Sequence, residues 1–124
     1  MSRFRSTSWR PGPTHAGSRP ARRLVAAASI AYVTNCLWGT AVAVGVIRTK
    51  KLRVVHHGLF VVTATLTGVA ATTPLWTRSR SALFLLPALV PLAVAPRTDP
   101  RSRAHWSVAV AAAPSYLGAL LARR

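Results

Sequence analysis

The chain has 124 residues, 51% of them hydrophobic, a formal charge of +16 and one acidic residue, Asp99. Such a charge suggests nucleic acid, yet a nucleic-acid protein spreads Lys and Arg along a helix face or a sheet. Here none falls within 24–47, 54–76 or 82–96. Clearing charge from whole segments is what a lipid solvent demands, since each mid-bilayer charge costs about 2.5–3.5 kcal/mol on insertion scales. No nucleic-acid partner is expected. A lone carboxylate also cannot supply the acid–base pairs of most hydrolases, and no nucleophile triad or phosphate-binding glycine loop is present, so no enzymatic activity is expected.

Residues 1–23 carry Arg3, Arg5, Arg10, Arg19, Arg22 and Arg23 among Pro11, Gly12, Pro13, Gly17 and Pro20. With helix breakers and little apolar surface to offset ordering entropy, they read as a disordered basic arm. Pro11-Gly12-Pro13 spoils a mitochondrial presequence. Arg22-Arg23 and Ala41-Val42-Ala43 faintly suggest a cleaved signal, but the apolar run that follows is too long for one. The run 24–47 is therefore expected to be an uncleaved first span, reaching about 35 Å. Cys36 lies within it as a small packing residue, since a single cysteine builds no disulfide framework.

The second span is expected over 54–76, with a similar reach, and the fourth over 104–122. The third, 82–96, is about 15 residues or 22 Å long. It contains Pro87 and Pro91 and ends at Pro96, so it reads as a thin, Pro-kinked span. Trp76 and Trp106 at span ends suit the headgroup region. Ala41 and Gly45, Ala64 and Gly68, and Thr67 and Ala71 repeat at the four-residue spacing that lets helices approach closely. The expected fold is all-α: a membrane bundle of four transmembrane helices in residues 24–124, preceded by the arm.

Four spans place the 48–53 and 97–103 loops on one side. His56 and His57 open the second span there, His105 opens the fourth, and Asp99 lies between the third and fourth. These four residues are the candidates for a shallow haem or transition-metal site, although adjacent histidines point about 100° apart on a helix. On the same side Arg48, Lys50, Lys51, Arg53, Arg97, Arg101 and Arg103 form a basic rim suited to anionic lipid headgroups and to orientation. Mid-span Asn35 and Thr65, with Thr63, Thr67, Ser115 and Tyr116 at comparable depth, are candidates for interhelical polar contacts. No Asp, Glu, Lys or Arg lies in the core of a span, which excludes carboxylate-driven proton coupling.

The functional expectation is a small multi-pass protein of a bacterial cytoplasmic membrane, with its N-terminus inside. The bacterial source is an association with the Arg- and Ala-rich composition. It would be non-catalytic and without a cofactor, serving as an accessory or assembly subunit or self-associating. The alternatives are a haem- or metal-binding redox or sensor protein using His56, His57 and His105, and a passive pore.

Overall fold

The computed structural model describes residues 19–48 and 50–122. Most of the arm expected over 1–23 lies outside the described residues. Its last part, however, is helical, because helix α1 covers Arg19–Ala43. Pro20 is tolerated there since the first turn needs no backbone N–H donors. Ala21, Val25 and Ala28 are fully buried, and Ser29 nearly so. That one-face spacing gives residues 19–23 a packing reason to be helical, which the basic composition hid. Arg22 and Arg23 stay exposed.

The far end of α1 also falls short of the expected limit. Gly45 adopts φ +76, and its N–H donates to the Val42 carbonyl at 3.1 Å. The Val46 N–H donates to the Ala41 carbonyl at 3.0 Å. This is a Schellman termination, in which a left-handed glycine satisfies the last carbonyls of the helix. Gly45 thus ends the helix, where its spacing from Ala41 had suggested a helix–helix contact.

Helix α2 covers Leu52–Thr72 and continues as a 3-10 turn, Thr73–Leu75. Pro74 has no N–H for the Ala70 carbonyl four residues back. The Thr73 hydroxyl donates to that carbonyl instead, at 2.8 Å. The third segment begins as a 3-10 helix, Ser81–Ala88, passes through the short helix α3, Leu89–Val94, and closes as a 3-10 turn, Ala95–Arg97. Prolines at 87, 91 and 96 remove three donors of an α-helical ladder, and the chain responds by winding more tightly. Tighter winding lengthens it: at 2.0 Å per residue in 3-10 and 1.5 Å in α conformation, Ser81–Arg97 extends about 31 Å. Helix α4 covers Arg103–Leu121, and Ser102 caps it by accepting the His105 N–H.

All the regular elements among the described residues are helical. Three helices, Arg19–Ala43, Leu52–Leu75 and Arg103–Leu121, are long and apolar enough to cross a membrane, while Ser81–Arg97 is a shorter apolar one. Helix α1 packs chiefly on α2, and the third segment packs chiefly on α4. Helices α2 and α4 run in the same direction. His56 neighbours His105 at one end, and further along both helices Thr67 meets Tyr116.

The packed core is built from small side chains and lies towards the Tyr116 end, combining Val25, Ala28, Ala70, Ala82, Leu85, Ala88, Ala112, Tyr116 and Ala119. Close approach replaces bulk as the source of contact. A Cβ on Gly118 would stand 3.0 Å from Phe84 Cδ1, so a larger residue there needs this ring to give by a few tenths of an ångström.

Candidate site: a polar cavity under two facing histidines

The end of the bundle opposite this core holds the groups capable of chemistry. The rings of His56 on α2 and His105 on α4 lie 5.9 Å apart between centroids, tilted by 60°. Both line a cavity of about 40 Å³. Helix α1 contributes Tyr32, Asn35 and Cys36 to its wall, while the third segment contributes Pro91, Leu92 and Ala95. A volume of this size holds an ion or a few waters and leaves no slot for a porphyrin.

The second ring nitrogen of His105 has a defined role. The Thr98 hydroxyl donates its one proton to the Ala95 carbonyl at 2.8 Å. Thr98 Oγ1 also lies 2.9 Å from His105 Nδ1. With its proton already committed, the hydroxyl accepts there, so Nδ1 carries hydrogen and the neutral ring keeps its lone pair on Nε2. His56 is the complement: its Nδ1 is buried without a hydrogen-bond partner among the described residues. Asn35 Oδ1 and Trp38 Nε1, both on α1, share that condition. Three such atoms mark this end as the costly one, since a buried polar group without a partner gives up its hydration for nothing.

The residues predicted from sequence divide sharply. His56 and His105 come together. His57, one residue on, is exposed because the helix turns it away. Asp99 is exposed too, and its carboxylate accepts the Arg101 N–H at 2.9 Å, shaping the turn before α4. Among the described residues no three or more His, Cys, Asp or Glu side chains are grouped to hold a metal. Arg48, Lys50, Lys51, Arg53, Arg97, Arg101 and Arg103 are all exposed. Arg97 folds back to donate to the Ala93 carbonyl.

Of the mid-span residues predicted to make interhelical polar contacts, Asn35 faces the cavity and Thr65 lies on the exposed face of α2. Two other candidates, Thr67 and Tyr116, do bond across helices, Thr67 Oγ1 to Tyr116 Oη at 2.6 Å. Thr63 turns its hydroxyl back to the Leu59 carbonyl at 2.8 Å. Tyr32 is the residue that reading by segment missed: its hydroxyl donates to the Ala109 carbonyl of α4 at 2.7 Å. Its apolar neighbours in sequence concealed it, and only its position one helical turn after Ala28 and Ser29 pointed inward.

At the Tyr116 end, an open cleft of about 390 Å³ is lined by Pro74, Thr77, Arg78, Ser79, Arg80 and Leu83. Both guanidinium groups belong to exposed residues. No protein-family model, curated protein or solved structure matches the chain. The class defined by the fold is therefore a physical one: an all-helical chain with three helices of membrane-crossing length and apolarity.

Proposed function

We propose that the chain is a four-span integral protein of a bacterial cytoplasmic membrane. In this reading it acts without catalysis, as an accessory or assembly subunit that packs against another membrane protein or against its own copies. The observation that carries this reading is the distribution of bulk. Large apolar side chains such as Ile30, Leu37, Val61, Val62, Val90, Val110 and Leu117 face outward, while the interior is mainly alanine. Water would penalise that arrangement, whereas lipid or a neighbouring helix accepts it.

The 31 Å reach of Ser81–Arg97 supports a fourth crossing, since a hydrocarbon core is about 30 Å thick. The basic rim at the His56 end supports contact with anionic headgroups, each cation near the surface contributing about 1 kcal/mol. The deciding experiment is purification at native expression in mild detergent, with co-purifying proteins identified by mass spectrometry. A stoichiometric membrane partner, or a defined homo-oligomer, is the expected result. Reproducible recovery as a partner-free monomer overturns the accessory reading.

One observation favours a second reading, a bundle that holds a transition-metal ion: the approach of His56 to His105 across the cavity. The cavity supports an ion and not haem.

A further inference from the structure

We propose that His56 and His105 together bind one monovalent, two-coordinate metal ion of the Cu(I) class, taken up in the cavity between α1, α2 and α4. The inference rests on the metal-ion reading above and specifies the ion.

Distance comes first. A metal about 2.0–2.1 Å from one nitrogen of each ring places two imidazole centres roughly 5–6.5 Å apart, depending on the angle at the metal. The observed 5.9 Å falls within that interval. The lone pairs come second. Thr98 holds the Nδ1 proton of His105 and leaves Nε2 as a ligand, the outer-shell arrangement that orients metal-binding histidines. His56 contributes a buried Nδ1 that no described protein group satisfies.

Charge then selects the ion. No carboxylate lines the cavity, and Asp99 is exposed and bound to the backbone of its own turn. Arg48, Lys50, Lys51, Arg53, Arg97, Arg101 and Arg103 are the exposed cations around this end. Desolvation cost rises with the square of ionic charge, so a divalent cation meets about four times the Born penalty with no anion to offset it. A monovalent ion meets the least.

Coordination number agrees. Zn(II) takes four ligands, or three and a water, and among the described residues no three His, Cys, Asp or Glu side chains are grouped here. Two imidazoles suffice for Cu(I), which accepts linear and bent two-coordinate geometry. Phe60, Leu92 and Val108 supply apolar wall around the pair. Cys36 also lines the cavity, but among the described residues it is not grouped with the two histidines to hold a metal.

The test uses the full chain in detergent, titrated anaerobically with Cu(I) against a chromophoric Cu(I) chelator, and with Ag(I) as a redox-inert probe. One equivalent of each ion is expected. His56→Ala and His105→Ala should each lower affinity by about 10- to 100-fold, and Thr98→Val by about tenfold through loss of ring orientation. His57→Ala should bind as wild type. X-ray absorption of the wild-type Cu(I) complex should show a first shell of two nitrogens, which tests the site even if a histidine variant fails to fold. Ag(I) binding that survives both histidine variants, or a sulfur-dominated shell, overturns the proposal. Histidine-dependent Zn(II) binding tighter than Ag(I) overturns the choice of ion while leaving the metal reading. Failure to bind Cu(I), Ag(I) or Zn(II) overturns both.

Discussion

Tyr32 on α1 stacks face to face on Tyr116 of α4, with ring centroids 4.3 Å apart and planes within 11°. Each hydroxyl then bonds to another helix, Tyr32 to the Ala109 carbonyl of α4 and Tyr116 to Thr67 of α2. One aromatic pair therefore ties three helices together, at the boundary between the alanine-packed half and the cavity. Side chains so placed stabilise by dispersion and by satisfying polar groups that the packing shields from water.

Tyr116→Phe should remove the Thr67 bond while keeping the stack. An interhelical hydrogen bond in a membrane averages about 0.6 kcal/mol, so a modest loss of that order is expected in equilibrium unfolding in mixed micelles. Thr67→Val should cost a similar amount and add little to Tyr116→Phe in the double variant. Thr65→Val, on the exposed face of α2, should be neutral within error. Equal losses at positions 65 and 67 would contradict the assigned inward face.

Gly118→Ala sets a close approach of the new Cβ to the Phe84 ring against the roughly 1 kcal/mol by which alanine favours a helix. Because Phe84 is half-exposed and can give, a net loss below about 1 kcal/mol is expected. Phe84→Leu should restore part of that loss in the double variant. Thermal unfolding in detergent, followed by circular dichroism, gives the comparison. Additive losses would mean that the two positions do not touch.

Gly45→Ala should cost about 1–2 kcal/mol, the penalty for placing a Cβ in left-handed conformation. Gly58→Ala should instead be neutral or slightly stabilising by thermal unfolding, since a Cβ there meets nothing within 4 Å and alanine favours a helix by roughly 1 kcal/mol. The contrast separates a glycine required by backbone conformation from one that is not.

If the third segment crosses, its two ends lie on opposite faces. In a Cys36→Ser background, single cysteines at Ser79 and at Asp99 should label from opposite sides of sealed vesicles with a membrane-impermeant maleimide. Labelling of both from one side would show that Ser81–Arg97 enters and leaves the same face.

Long-range order in the chain was legible where it depended on solvent. The charge-free stretches 54–75 and 104–121 announce helices long and apolar enough to cross a membrane, because a charge near the middle of such a segment would cost kilocalories in lipid. Local backbone chemistry was legible in part. The prolines of the third segment promised an interrupted α-helix, but not the 3-10 winding that recovers its length. The α-helical start at Arg19 and the termination at Gly45 depended on burial of Ala21 and on a positive φ, neither of which composition records.

What the sequence alone determined is thus the apolar, charge-free character of the long segments, and with it helices long and apolar enough to cross a membrane, since that character sums over residues in any arrangement. Which residues face one another was decided by tertiary structure. His56 meets His105 while adjacent His57 does not, and Thr67 bonds Tyr116 while Thr65 faces outward. A helix turns about 100° per residue, so neighbours in sequence point to different partners. The rotation and register that choose among them arise only when small side chains such as Ala70, Ala112 and Gly118 let the helices close together.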